Sequence, residues 1–213
     1  MKKLLAVSIF CILAAGCAHS GIESEMPQSG TAAADTEGND MNSLTSKHFT
    51  FTAEDIAAGK YDVWELIDPL WFNVDTDGLD EYNKDLETFT DGQRKMFALT
   101  LYDAEVQNGG HEQFFYNSEG IVWKDALDCM RMIGADECAD NFQKTVDLFG
   151  GTVPFDRDER NAAMEKLEGE EYYNTLSEAD DFYYDNGPYE LMNAYVKAHP
   201  EEFVLDRDLL YSN

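Results

Sequence analysis

The sequence predicts an all-α protein, a compact multi-helix bundle preceded by a leader and a flexible tether. Three observations predict it. Apolar residues recur at helical spacing through most of the chain, as at Met96, Leu99, Tyr102 and Val106, with Phe97, Leu101 and Ala104 widening the stripe. Helix-stopping glycines, asparagines and prolines separate these stripes, as at Asn108-Gly109-Gly110, Gly150-Gly151 and Asp185-Asn186-Gly187-Pro188. No stretch alternates apolar and polar residues convincingly, so strands are not expected.

The chain begins with Met1-Lys2-Lys3, a short positive segment, followed by an apolar run from Leu4 to Ala15 that is too short to span a bilayer as a helix. The run ends Leu13-Ala14-Ala15-Gly16-Cys17. This resembles a bacterial lipoprotein signal over residues 1–16, with Cys17 accepting a diacylglyceryl group. The alternative is an ordinary secretory signal cleaved near Ala15 or Ala18. Either reading takes the mature chain out of the cytoplasm, and Ala18 after the cysteine is compatible with an outer-membrane anchor. Residues 18–47 are rich in Ser, Gly, Ala, Thr, Glu and Asp without apolar periodicity, which predicts a tether.

The folded domain is expected over residues 48–213. Thr52 is a candidate N-cap with Asp55 three residues later. Val63-Trp64-Glu65-Leu66-Ile67 opens a helix interrupted at Pro69. Leu79 to Phe89 reads as a short acidic helix and Asp91 to Val106 as a long one. A short aromatic helix then carries Phe114 and Phe115 toward different neighbours. Val122, Trp123, Ala126, Leu127, Met130 and Ile133 mark the next stripe. Gly134-Ala135-Asp136 turns the chain, and Ala139, Phe142, Val146 and Phe149 follow. Two acidic helices are expected over 156–167 and 170–184, and Tyr189, Met192, Val196 and Phe203 close the pattern.

Charge sets the functional classes. Forty-three acidic residues against 15 basic ones give the 213-residue chain a net charge of −28. The domain itself holds 38 acidic and 12 basic residues, a net −26, so the charge does not reside in the tether. Such a surface repels nucleic acid and anionic lipid and attracts basic proteins or cations. Candidate outward carboxylates are Asp80, Glu81, Asp85 and Glu87, then Asp156, Asp158 and Glu159, then Glu168, Glu170, Glu171, Glu178, Asp180 and Asp181.

Other patterns carry chemistry less completely. Asn73, Asp75, Asp77 and Gly78 match the first half of a calcium loop, but position twelve is Lys84 where a bidentate glutamate is needed, so the stretch reads as an acidic turn before the helix at Leu79. His111-Glu112 opens a zinc-protease pattern that fails at Phe115. Asp103, Glu105 and His111 are candidates for an acid–base group at the glycine hinge, with capping or ion pairing as the alternative role for each. Cys129 and Cys138 flank the Gly134-Ala135 turn, and either a disulfide or two buried thiols fits that spacing. No cofactor is indicated.

One stretch resembles a known family. Glu105, Val106, Asn108, Gly109, Gly110, Gln113, Phe114, Phe115, Asn117 and Gly120 are similar to the signature of the DNA-mimic protein (DMP) family. Ile133-Gly134-Ala135, Arg160 with Leu167, Asp181-Phe182-Tyr183, and Tyr195 followed by His199 also fall where that family has similar residues, while His111 stands where it usually has an aromatic residue such as Phe. The resemblance covers most of residues 90–205. It implies an all-α fold, frequent dimerisation, no known catalytic activity and, in the family's best-understood members, an acidic surface that imitates the phosphate rows of a duplex and occupies the DNA-binding face of a transcription regulator. Within the motif, Asn108 and Asn117 suit caps, Gln113 suits satisfying backbone groups, and the aromatics suit the core. With the leader, the expectation becomes a non-catalytic acidic lipoprotein that engages a basic protein partner in the envelope, touching the membrane through its lipid only. The alternatives are an envelope hydrolase or metal-dependent enzyme centred on Glu105 and His111, and a passive calcium-buffering or structural lipoprotein.

Overall fold

A long helix, α4 (Asp91–Tyr116), runs through the middle of the molecule, and the other elements gather round it. The computed structural model describes residues 44–167 and 169–211. Residues 1–43, with the expected leader, Cys17 and most of the expected tether, lie outside the described residues, as do Glu168 and residues 212–213.

The order is β1 (Thr45–Phe51), α1 (Ala53–Ala57), α2 (Val63–Ile67), α3 (Leu79–Leu86), α4, α5 (Trp123–Met132), α6 (Asp136–Asp147), α7 (Arg157–Met164), α8 (Glu170–Asn186), α9 (Tyr189–Ala198) and β2 (Leu205–Tyr211). Short 3-10 turns occupy Asp68–Leu70, Ser118–Val122 and Pro200–Phe203. The fold is all-α, as the periodicity predicts, with one small ribbon added.

Local chemistry accounts for the helix ends. The Thr52 hydroxyl accepts from the Asp55 amide at 3.2 Å. Asp62 with Glu65, and Thr90 with Gln93, form reciprocal capping boxes that satisfy the first free amides of α2 and α4. Pro69 breaks α2 into a 3-10 turn, because it lacks the amide the helix would need. Gly134, Gly150 and Gly151 all have φ near +80°, so the chain turns where the sequence predicts.

The ribbon corrects the expectation that strands are absent. β1 and β2 pair antiparallel, from Thr45 opposite Tyr211 to Phe51 opposite Leu205. Strand structure therefore starts at Thr45, inside the stretch expected to be tether. Phe49, Phe51 and Leu205 point into the core, while His48 lies on the opposite face between Asp208 (2.9 Å) and Asp206 (3.0 Å). These carboxylates raise the His48 pKa, so the imidazole holds its second proton more tightly there.

The core is continuous and aromatic around α4. Tyr102, Phe114, Phe115, Phe142 and Tyr183 are buried and meet at centroid distances of 4.4 to 6.1 Å, mostly edge to face or tilted. No described helix is long and apolar enough to cross a membrane.

Candidate functional site

The hinge that the sequence places at Asn108-Gly109-Gly110 is a kink inside α4. Gly109 (φ −156°, ψ 22°) and Gly110 (φ 76°, ψ −178°) leave helical geometry, and the helix resumes at His111 in a new direction. Gly110 sits where only glycine is comfortable. A Cβ added there would also run into the carboxylate of Asp180 on α8.

That carboxylate closes the kink. Asp180 Oδ1 accepts from the His111 backbone amide at 2.8 Å and pairs with His111 Nδ1 at 2.5 Å. The other ring nitrogen, Nε2, lies 2.6 Å from the Tyr102 hydroxyl. His111 is fully buried among Tyr102, Phe142 and Tyr183. Burial pushes the Tyr102 hydroxyl well above its ordinary range, so the phenol stays protonated. Asp180 is therefore not part of an outward acidic row; it is half-buried and spent on the hinge.

Glu105 does a parallel job one turn earlier. Its Oε2 accepts from Gln113 Nε2 at 3.0 Å and from Asn117 Nδ2 at 2.7 Å. Gln113 thus serves a carboxylate and not the backbone groups expected, its amide lying over Gly109. Asn117 ends α4 in extended geometry while its side chain serves Glu105, and Asn108 is exposed. Asp103 accepts from the Tyr183 hydroxyl at 3.0 Å, and burial raises its pKa despite that bond. Asp103, Glu105 and His111 therefore serve three separate contacts and do not converge on one acid–base centre. Neither Glu105 nor His111 lines the clefts described below.

Arg160 of α7 locks the far side of the motif. Its guanidinium is fully buried and donates to four carbonyls: Phe115 (2.5 Å), Asn117 (2.6 Å), Phe155 (2.9 Å) and Pro154 (3.1 Å). Burial, helped by nearby Arg157, lowers its pKa to about 10. Gly120 has no side chain because a Cβ would meet Arg160 and the Phe114 carbonyl. Val106, Phe114 and Phe115 are core. The motif as a whole builds the bundle's joint.

Two other expectations are settled by contacts. Asn73 clamps the C-terminal strand: its Nδ2 donates to Pro69 O (2.7 Å) and Leu210 O (2.9 Å), and its Oδ1 accepts from Leu210 N (3.0 Å). Asp75 Oδ1 accepts from Asp77 N at 2.8 Å, and Asp85 accepts from Asp75 N at 3.1 Å, so the calcium-like stretch is a self-bonded turn tied to α3. No cluster of three metal-ligating His, Cys, Asp or Glu occurs among the described residues. Cys129 and Cys138 are buried free thiols and do not form the disulfide considered above. Burial raises both, Cys138 to about 11, and Cys138 donates to Asn186 O at 3.1 Å.

The carboxylates differ in what holds them. Asp55, Asp91, Asp125, Asp128, Asp136 and Asp140 are paired with Lys60, Lys95, Arg94, Lys124 and Arg131 at 2.5 to 3.2 Å. α8 differs: it carries no lysine or arginine, and among the described residues Glu170, Glu171, Glu178, Asp181 and Asp185 make no ion pair. All five are exposed. At 100° per residue they fall on one side of α8, while Tyr172, Leu176, Ala179 and Tyr183 fill the buried side. The row runs about 22 Å at 1.5 Å per residue. Its mean spacing of roughly 6 Å is sparser than the one charge per ~3.4 Å of a single DNA strand. Asp185 was not singled out in the sequence, although its spacing from Glu178 and Asp181 extends the stripe. Of the remaining candidates, Asp80, Glu81, Glu87, Asp158 and Glu159 are exposed, and Asp156 caps α7 by accepting from Glu159 N at 2.9 Å.

Two open clefts adjoin this helix. One, about 490 Å³, lies between α6 and α8 and is lined by Lys144, Asp147, Leu148, Glu171, Glu178 and Phe182 among others. The second, about 480 Å³, lies where the starts of α6 and α9 meet around Cys138 and Pro188.

A family model described as DMP19-like protein matches residues 87–199, from just before α4 to the end of α9. The chain belongs to the DMP19-like family. This is a DNA-mimic family. The matched segment holds the kink, Arg160, Asp180 and the α8 row, whereas the ribbon and α1 to α3 fall outside it. No curated protein and no solved structure matches the chain.

Proposed function

We propose that this DMP19-like protein is a non-catalytic binding module, lipid-anchored through Cys17 in the cell envelope, whose α8 face engages a basic protein. The observation that carries the reading is the α8 row: five exposed carboxylates, no basic residue on the same helix and no ion pair among the described residues. Six carboxylates elsewhere are held by lysines and arginines; on α8 five stand in one continuous row with no basic residue on the same helix. Lysines or arginines that grip phosphates could meet such a row, and the family's DNA-mimic character supports a protein partner of that kind. The leader supports a partner on the envelope side of the membrane and not a cytoplasmic regulator.

The hydrolase alternative finds no support in the geometry. Glu105 and His111 are engaged by different partners, and His111 has no exposed surface.

The test is a pull-down from envelope extract with the full chain at low and at high salt. A specific protein with basic character should be retained at low salt and released at high salt, because exposed charge pairs are screened beyond about 8 Å at physiological ionic strength. Retention that ignores salt, or retention of nothing specific, contradicts the proposal.

A further inference from the structure

The cleft between α6 and α8 holds an acceptor that the fold itself does not use. The two helices run antiparallel along it: Cys138 at the start of α6 bonds Asn186 O at the end of α8, and one turn on Asn141 Nδ2 donates to Ala179 O at 2.9 Å. That bond fixes Asn141, which is 4% exposed, and commits its nitrogen. Its Oδ1 accepts no hydrogen bond among the described residues, yet it is not one of the sealed interior atoms such as Asn161 Oδ1 and Trp123 Nε1. Asn141 lines the cleft, so this acceptor opens into it. A buried acceptor without a donor is unfavourable, and a ligand that brings one recovers the loss.

The rest of the lining asks for the same kind of ligand. The volume, about 490 Å³, falls within the roughly 300–1,000 Å³ typical of ligand pockets. Asp147 stands on the α6 wall, and Glu171 and Glu178 on the α8 wall. Gln143 Nε2 occupies Asp147 Oδ1 at 2.8 Å, while neither glutamate makes an ion pair among the described residues. Lys144 also lines the cleft and is likewise without an ion pair there. Phe182, half-buried, lies one turn beyond Glu178 on the same side of α8. Oxygen acceptors on both walls beside an aromatic ring suit a flat cation with several donors. A guanidinium presents five N–H groups in a fixed fork and stacks on rings, so it can serve Asn141 and Glu178 together; an ammonium is a compact point donor without that fork.

We infer that this cleft is a socket for one arginine side chain of the basic partner, with the guanidinium between Asn141 Oδ1 and the Glu178 carboxylate, against Phe182, and with Lys144 as the resident cation that competes for it. The inference rests on the α8-face reading above and names the group that face takes. The experiment titrates the full chain with Nα-acetylarginine methylamide and, separately, with Nα-acetyllysine methylamide, followed by NMR of the backbone and asparagine side-chain amides. The arginine probe should shift the Asn141 side-chain amide saturably, and the lysine probe should bind about tenfold more weakly. Glu178→Gln should weaken the arginine probe about tenfold, and Lys144→Gln should tighten it about threefold. Asp185→Asn, on the same row but outside the cleft, should change it less than about twofold. Asn141→Ala should bind the two probes alike, and the surface variants decide the matter if that chain does not fold. No saturable shift at Asn141, equal affinity for the two probes in the wild type, or equal losses from Glu178→Gln and Asp185→Asn overturns the socket and leaves the acidic row standing. The titration needs no partner, so its failure is read separately from an empty pull-down, which counts against the proposed partner.

Discussion

Gly110→Ala should damage the joint of the bundle in a way that Gly109→Ala does not. At φ 76°, ψ −178°, an alanine pays a backbone strain of about 1–3 kcal/mol. Its Cβ also pushes on Asp180, whose Oδ1 holds both the amide and the ring of His111. Bonds to a charged group contribute about 1.5–3 kcal/mol each, and water reaching the half-buried carboxylate recovers part of the loss, so one bond's worth is a fair charge. The two effects together give about 2.5–6 kcal/mol, or a melting temperature lower by roughly 5–24 °C for a chain of this size. Gly109 has negative φ, so an alanine there carries no left-handed strain; its added Cβ would displace the Gln113 amide and press on the Gln113 Cβ at 3.0 Å, so Gly109→Ala should cost about 1 kcal/mol, mainly the Gln113–Glu105 bond. Thermal and urea melts give the values. In an Asp180→Ala background the clash is gone, and Gly110→Ala should cost only the strain, a coupling of about 1.5–3 kcal/mol. Equal losses for the two glycines, or a Gly110→Ala loss unchanged without Asp180, would refute the reasoning.

Three further outcomes follow from the same contacts. Arg160→Lys should lose about 3 kcal/mol in urea melts, because three rotating donors on one atom cannot span four carbonyls; a loss under about 1 kcal/mol would contradict the guanidinium's bridging role. Burial raises Tyr82, Tyr102 and Tyr183 above the ordinary tyrosine range, so the folded chain keeps phenolic protons that the unfolded chain releases. Stability measured by urea melts should hold below about pH 10 and fall by about 4 kcal/mol per pH unit above it, and a stability that does not change between about pH 10 and 11 would contradict this. Burial also raises Asp103, so its contribution opposes folding at neutral pH and improves as the pH falls; Asp103→Asn, which keeps an acceptor for Tyr183, should raise the melting temperature at pH 7, and a fall would count against the assignment.

Much of the helical plan is legible in the sequence, because capping and stopping signals are local. Thr52, Pro69, Asn108-Gly109-Gly110, Gly134 and Gly150-Gly151 all act where their chemistry says they should. The ribbon is not legible, for two reasons. Its strands lie more than 150 residues apart, and β2 hides its alternation: Arg207 faces inward, stacked 3.9 Å over Phe89, while Leu210 faces outward. The same limit applies to the joint. His111 and Glu105 stand out in the sequence as reactive types, but the residues that fix their roles, Asp180 and Asn117 with Gln113, are identified only by folding. Asp180 is indistinguishable from its acidic neighbours until α8 is laid against the kink. Arg160 stands among the residues similar to the family, yet nothing local announces a buried cation satisfied by carbonyls alone.

The central claim is that the free carboxylates of α8 hold a basic partner. The most direct measurement is partner recovery from envelope extract, quantified by mass spectrometry, with Glu171→Gln, Glu178→Gln, Asp181→Asn and Asp185→Asn combined in one chain. It is set beside a chain in which the exposed acids of α3 and its flank, Asp80, Glu81 and Glu87, are neutralised together with Glu159. Both variants lose the same four charges. The account predicts that recovery collapses for the α8 variant and stays near wild type for the other; equal recovery from the two would contradict it.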